Sequence, residues 1–128
     1  MPLPLGAIRN RRSLIYVGNL ADLIVTAASS PAAAGRTLLA ADAQDMSTPQ
    51  LITEIGRALG KPARMVGVPV GLLQLGGAIT GMGAEIGRLV DSLVVDASET
   101  RERLRWRAPF SVQEGIAATV RWYRSASR

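Results

Sequence analysis

The chain has 128 residues, a net charge of +5, and neither cysteine nor histidine. That length is about one domain, and 48% hydrophobic with 20% charged residues is typical of a soluble globular protein. The missing residue types exclude disulfides, thiolate or imidazole metal ligands and a histidine-assisted nucleophile. Since the ten acidic residues are scattered, we expect no metal site. The absence of cysteine and of a signal-peptide pattern favours the cytoplasm.

Nearly all of the positive charge is arginine, because Lys61 is the only lysine. Guanidinium groups suit bidentate contacts to phosphate, so an anionic ligand is one interpretation, and solvated surface charge is the other. The arginines within 101–107 alternate with other residues and would spread around a helix. With aromatic residues at only 4%, we predict no nucleic-acid binding.

Three short segments favour β-strands, at residues 13–17, 36–41 and 63–68. Apolar residues at helical spacing, together with stop signals, predict helices between these segments and after them. The predicted helices cover about 19–29, 47–59, 70–80, 85–93, 96–104 and 111–123. The sequence thus predicts an α/β fold that is rich in helix and has a few short strands.

Two helices carry clear capping signals. Ser47 and Thr48 are candidate N-caps, with Pro49 in the first turn and Gly60 after the last one. The last helix begins with the capping-box sequence at 111–114, in which the serine and glutamate side chains each satisfy the other's free amide.

No charged residue occurs in 65–84, a length that could span a bilayer. Pro69, Gln74 and six glycines argue against a regular spanning helix. We therefore predict a buried or substrate-covering helix near 70–80, and no membrane insertion.

Three segments suggest a functional site but lack a feature that the site requires. The glycines within 81–87 look like a dinucleotide-binding turn, but the last one is a place late and no strand precedes them. Lys61 is followed by proline, which excludes a phosphate-binding loop of the glycine-lysine type. Asp91 and Asp96 are the only close carboxylates for a hydrolase, and a nearby arginine indicates ion pairing instead.

Ten residues toward the C-terminus follow one pattern of caps, core residues and a closing aromatic pair: Asp96, Ser98, Leu104, Trp106, Pro109, Ser111, Glu114, Gly115, Trp122 and Tyr123. With the run 12–21, they resemble the extended short-chain dehydrogenase/reductase superfamily. The resemblance is to its NAD-dependent nucleotide-sugar epimerases and dehydratases, of the UDP-glucose 4-epimerase-like kind, and it covers essentially the whole chain. We expect structural roles for Asp96 as a cap and for Leu104 and Trp106 in the core.

In that family a Rossmann domain comes first, and a smaller domain closes over the sugar nucleotide. The resemblance implies that residues 1–128 are the C-terminal substrate-binding part of such an enzyme, without the N-terminal Rossmann domain. It also implies that Arg12 binds the diphosphate of the ligand. A second arginine often joins it, and Arg88 is the nearest candidate; solvated surface charge remains the alternative for both.

The chain departs from the family pattern at five positions. Leu14 replaces an aromatic residue, which removes any stacking or hydroxyl contact from that position. Ser13 and Asn19 replace acids, and Glu99 replaces a lysine. Arg105 replaces a glycine that we expect to end a helix.

The hydride chemistry of the family needs a glycine-rich turn and a Tyr-x-x-x-Lys pair. Tyr16 is followed four places on by Leu20, and Tyr123 by Ser127. We therefore expect both parts upstream of Met1 in an intact relative. NAD is the cofactor of the intact family, and this chain alone is expected to bind no NAD and to be inactive. Epimerisation, dehydration and reduction all fit.

The expected partners are a nucleotide sugar and the missing Rossmann domain or a partner chain. A stand-alone binding or assembly module without catalysis is the main alternative. Such a piece would expose apolar surface, so we predict self-association. A basic protein of the membrane surface is a third possibility.

Overall fold

A computed structural model describes residues 3–127. Within them lie six α-helices: α1 Val17–Ser29, α2 Thr48–Leu59, α3 Val70–Thr80, α4 Gly83–Val90, α5 Ser98–Leu104 and α6 Val112–Ala126. A single 3₁₀ turn, Pro31–Ala33, follows α1. Contacts between backbone positions divide the chain into two compact units. Unit 1 comprises residues 3–12 and 46–93, and unit 2 comprises residues 13–45 and 94–127.

The predicted α/β fold is wrong, because residues 3–127 contain no β-strand. The extended segments form only isolated bridges, which pair Leu3 with Met65 and Arg12 with both Met46 and Leu93. A strand requires consecutive pairs along the ladder, and none of these pairings extends to a second one. The chain is instead built from helices and irregular loops.

Each of the three predicted strands fails to form for a reason that can be named. Segment 63–68 pairs with Leu3, but the chain turns at residues 4–7 and Pro4 has no amide to donate. In segment 13–17, the Tyr16 amide donates to the carboxylate of Asp42 instead of a neighbouring strand. Segment 36–41 is rich in alanine, a poor strand former.

The predicted helices are confirmed, with shifts at their ends. α1 begins at Val17, two residues earlier than predicted, and α4 covers Gly83–Val90 where 85–93 was predicted. Both capping boxes form: Ser47 with Gln50 before α2, and Ser111 with Glu114 before α6. These local signals succeed because cap and amide lie within three residues of each other.

The core of unit 2 consists of Leu23, Leu104 and Trp106, which are at most 8% exposed. The indole nitrogen of Trp106 donates to Asp22 at 2.7 Å, so the buried N–H is satisfied. The structural roles expected for Leu104 and Trp106 are therefore confirmed. In unit 1 the buried apolar residues are Leu5, Ile8 and Met46.

The uncharged segment 65–84 contains α3, which is followed by its C-cap residue Gly81 with a φ of 76°. α3 packs closely on α4: a Cβ atom on Gly77 would lie 2.9 Å from the side chain of Ile86. Of the two roles predicted for this helix, burial is wrong, since Leu75 and Ile79 on α3 are 57% and 76% exposed, and the substrate-covering role stays a prediction. No helix in residues 3–127 is long and apolar enough to cross a membrane.

Candidate functional site

The backbone of Arg12 is held on two sides within unit 1. Its amide donates to the Met46 carbonyl at 2.9 Å, and the Met46 amide returns a bond to the Arg12 carbonyl at 3.0 Å. On the other side, the Leu93 amide donates to the carbonyl of Arg11 at 3.0 Å. The backbone that carries the Arg12 side chain is therefore fixed before any ligand binds.

The two arginines singled out from the sequence meet at the C-terminal end of α4. Nη1 of the half-buried Arg12 donates to the backbone carbonyl of Arg88, whose own side chain is exposed in the last turn. The last carbonyls of a helix have no partner within the helix and form its negative end, so a guanidinium is favourable there. Arg12 is thus an anchored side chain, and neither a buried ion pair nor a freely solvated charge.

Only one of the five N–H donors of Arg12 takes part in that bond. The remaining donors keep the fork geometry that matches phosphate oxygens. Unit 1 also carries an excess of positive charge, with seven basic and three acidic side chains and a net charge of +4. The end of α4 therefore combines an anchored guanidinium with an exposed arginine side chain, in a unit of net positive charge.

A buried polar cluster that sequence reasoning missed supports the same helix end. Asn10 is 5% exposed, and its Nδ2 donates to the carbonyls of Leu89 at 3.2 Å and Asp91 at 2.9 Å. The hydroxyl of Thr48 also donates to the Leu89 carbonyl, at 2.5 Å. The signal in the sequence is the position of Asn10 among three arginines, which an interpretation based on charge alone does not use.

Unit 2 contains its own polar centre, which sequence reasoning also missed. Asn19 is fully buried; its Nδ2 donates to Asp42 at 2.8 Å and to the Phe110 carbonyl at 3.0 Å, and its Oδ1 accepts the Phe110 amide. Ser13 donates to the carboxylate of Asp45 at 2.7 Å. Asn19 and Ser13 each face an aspartate, which explains why neutral side chains suit these positions.

Unit 2 also has a cavity of about 490 Å³ whose lining includes Asp42, Arg101, Arg107 and Phe110. Both carboxylate oxygens of Asp42 already accept hydrogen bonds, from Asn19 and from the Tyr16 amide. Asp42 therefore lies at the edge of this cavity with a structural role, as the acceptor of these two hydrogen bonds.

The glycine at position 115 has a direct packing reason. A Cβ atom at this position would lie 2.8 Å from the side chain of Tyr16, so only glycine fits beneath that ring. The ring of Tyr16 also packs edge-to-face on Phe110, with centroids 5.5 Å apart. Tyr16 thus has a packing role in unit 2.

Asp96, one of the two carboxylates considered for a hydrolase, has its partner two residues along the chain. Oδ1 of Asp96 accepts the hydroxyl of Ser98 at 2.6 Å and its amide at 3.0 Å. These bonds, with a smaller contribution from Arg101, lower the pKa of Asp96 below its ordinary value. The N-cap residue of α5 is Ala97 and not Asp96 as expected; Asp96 precedes the cap and accepts the first amide of the helix, and Asp91 lies in the other unit.

No protein-family model and no solved structure matches the chain. The chain is similar to a UDP-glucose 4-epimerase from Vibrio cholerae, with 39% identity over 128 residues. The alignment covers 99% of this chain but only 39% of the epimerase. The chain is therefore related to an epimerase over nearly its whole length, and it spans about two fifths of the length of that enzyme.

Proposed function

We propose that this chain is the nucleotide-sugar-binding part of an epimerase or dehydratase of the extended short-chain dehydrogenase/reductase type. Arg12 is the main contact to the diphosphate of the ligand, and Arg88 is the second. The observation that carries the proposal is the anchored guanidinium of Arg12 beside the exposed Arg88 at the end of α4. The similarity to a UDP-glucose 4-epimerase supports the ligand class.

The anchoring matters for affinity because binding is weakened by the ordering of flexible side chains. The hydrogen bond to the Arg88 carbonyl restricts the Arg12 side chain before the ligand arrives. Arg9 and Arg11 lie in the same segment with exposed side chains, so we assign them long-range attraction that salt screens.

Catalysis in this proposal belongs to an assembly in which NAD is bound by a Rossmann domain or a partner chain. This chain contributes the binding contacts to the sugar nucleotide and no catalytic residue. The expected setting is the cytoplasm. Titration of this chain with NAD is expected to show no saturable site, and a stoichiometric NAD site would contradict this division of roles.

The test of the ligand site is calorimetric titration of this chain with UDP. Arg12→Ala should weaken UDP binding roughly ten- to hundredfold, because a charge-assisted hydrogen bond of about 1.5–3 kcal/mol is lost. Arg9→Ala removes the same charge from a nearby exposed position and should cost less than about threefold at physiological salt. Equal losses in the two variants would reduce the site to general electrostatics, and no saturable UDP binding would contradict the proposed function.

One observation favours a second candidate function, assembly through α3. Leu72, Leu75 and Ile79 recur at a spacing of three and four residues, and each is 57–76% exposed. That spacing places them along one side of a helix, as in helices that pack against a partner helix. Apolar stripes of this kind favour association.

Light scattering tests the assembly function. The chain is expected to form dimers or larger species at high protein concentration, and Leu75→Glu should shift it to the monomer. Gln74→Glu adds the same charge on the same helix beside the stripe and should leave the association unchanged. A monomeric chain at high concentration would remove this candidate.

A further inference from the structure

Three separate segments of unit 1 meet at the side chain of Asn10. Its Oδ1 accepts the backbone amide of Thr48 at 2.8 Å, at the start of α2. Its Nδ2 donates to the Leu89 and Asp91 carbonyls, at the end of α4. The Thr48 hydroxyl completes the cluster, since it accepts from Asn10 at 3.0 Å and donates to Leu89.

The chemistry of this junction demands an amide. The first amides of a helix need an acceptor, and the last carbonyls of a helix need a donor. Asparagine supplies both from one short side chain, whereas a carboxylate cannot donate and an ammonium cannot accept. At 5% exposure, water does not readily replace either bond.

Asn10 and Arg12 donate hydrogen bonds to consecutive backbone carbonyls at the end of α4. The side chain of Asn10 donates to the carbonyl of Leu89, and that of Arg12 donates to the carbonyl of Arg88, the residue before it. The two donors are two residues apart on an extended segment, which places them on one side of it. The turn that carries the Arg88 side chain is therefore tied to the segment that carries Arg12.

We propose that Asn10 is a positioning residue which, together with Thr48, sets the place of the Arg88 side chain relative to Arg12, so that both guanidinium groups can engage one diphosphate. This inference rests on the proposed function. Asn10 does not touch the ligand, and its effect on binding runs through Arg88.

The variants are Asn10→Ala and the pair Thr48→Val and Thr48→Ser. Valine keeps the shape of threonine and removes the hydroxyl that donates to Leu89, and serine restores that donor. We expect UDP affinity to fall about tenfold in Asn10→Ala and about threefold in Thr48→Val, and to stay near that of the parent in Thr48→Ser. Circular dichroism identifies any variant that fails to fold. If Asn10→Ala does not fold, the comparison of Thr48→Val with Thr48→Ser tests the inference.

A double-mutant cycle separates positioning from general stability. In an Arg88→Ala background, the loss of UDP affinity from Asn10→Ala or Thr48→Val should shrink to less than about twofold. An equal loss of UDP affinity in both backgrounds would overturn the inference, because Asn10 and Thr48 would then affect binding without Arg88. If Arg88→Ala and Arg12→Ala themselves leave UDP affinity unchanged, the proposed function fails as well.

Discussion

The two units distribute charge and apolar side chains differently. Unit 1 has a net charge of +4, whereas unit 2, with seven basic and seven acidic residues within 13–45 and 94–127, has no net charge. Unit 2 has the aromatic core around Trp106, and unit 1 exposes the apolar helix α3. Unit 1 therefore carries the excess of positive charge and unit 2 the aromatic core, whereas both units expose large apolar side chains, such as Leu75 in unit 1 and Trp122 in unit 2.

Both units nevertheless use the same device at their centres. Asn10 in unit 1 and Asn19 in unit 2 are buried asparagines that join distant segments with both ends of the amide. They differ in what they face, since Asn10 meets neutral groups and Asn19 meets the carboxylate of Asp42. The comparison teaches that Asn19 is the position where an added charge would be least tolerated.

Asn19→Asp should have the largest effect, a loss of about 3 kcal/mol in the free energy of unfolding near neutral pH. Two carboxylates would meet at a fully buried position, which disfavours ionisation of the new one. The pKa of the introduced carboxyl would rise above its unfolded value of about 3.9. Below that pH the protonated group can donate to Asp42, so stability is retained there and is lost as pH rises through the raised pKa. Urea unfolding from pH 4 to pH 8 measures this.

Asn19→Ala is the matched control for that variant. It removes all the hydrogen bonds of the Asn19 side chain and adds no charge, so its cost should vary little with pH. If Asn19→Asp showed the same flat profile as Asn19→Ala, the proximity of the two carboxylates would be contradicted.

Arg105→Gly should have a smaller and opposite effect, a gain of roughly 0.5–1 kcal/mol in unfolding free energy. Arg105 ends α5 with a φ of 49°, and it is the single non-glycine residue in 3–127 with a positive φ. A left-handed conformation costs about 1–2 kcal/mol with a side chain, and the greater freedom of glycine in the unfolded chain offsets part of the gain. Thermal unfolding measures the change.

Arg105→Ala separates backbone strain from charge in this test. Alanine removes the guanidinium but keeps the Cβ atom, so it should bring no gain in stability. Equal stabilisation by alanine and glycine would assign the effect to charge instead of the backbone.

The smallest predicted effect concerns the two capping boxes. The box of α2 in unit 1 uses Gln50, whereas that of α6 in unit 2 uses Glu114. Hydrogen bonds from the amide and then the hydroxyl of Ser111 lower the pKa of Glu114 below 4.5. Its contribution to stability is therefore present above pH 4.5 and is lost as pH falls through the lowered pKa.

Glu114→Gln should make the loss of stability between pH 5 and pH 3 slightly shallower, because glutamine keeps an acceptor for Ser111 that does not titrate. Urea midpoints across that range measure the difference. Gln50→Glu in unit 1 is the reciprocal variant and should steepen the same decline. An unchanged slope in both variants would contradict the pKa shift as a source of acid sensitivity.

The sequence determined the features whose cause lies within a few residues. Both capping boxes and the helices depend on hydrogen bonds or sterics between near neighbours. The missing strands show the limit of this reasoning. Residues 13–17 favour β structure, but the amide of Tyr16 is taken by the carboxylate of Asp42, 26 positions away.

Only the tertiary structure decided which polar residues organise each unit. Asn10 meets its partners 38 to 81 positions along the chain, and Asn19 meets Asp42 and Phe110 at 23 and 91 positions. The sequence identified Arg12 and Arg88 as separate candidates through a family resemblance. The hydrogen bond that joins them arises because the end of α4 leaves carbonyls unpaired and the folded chain brings the Arg12 segment to them, which no local pattern encodes.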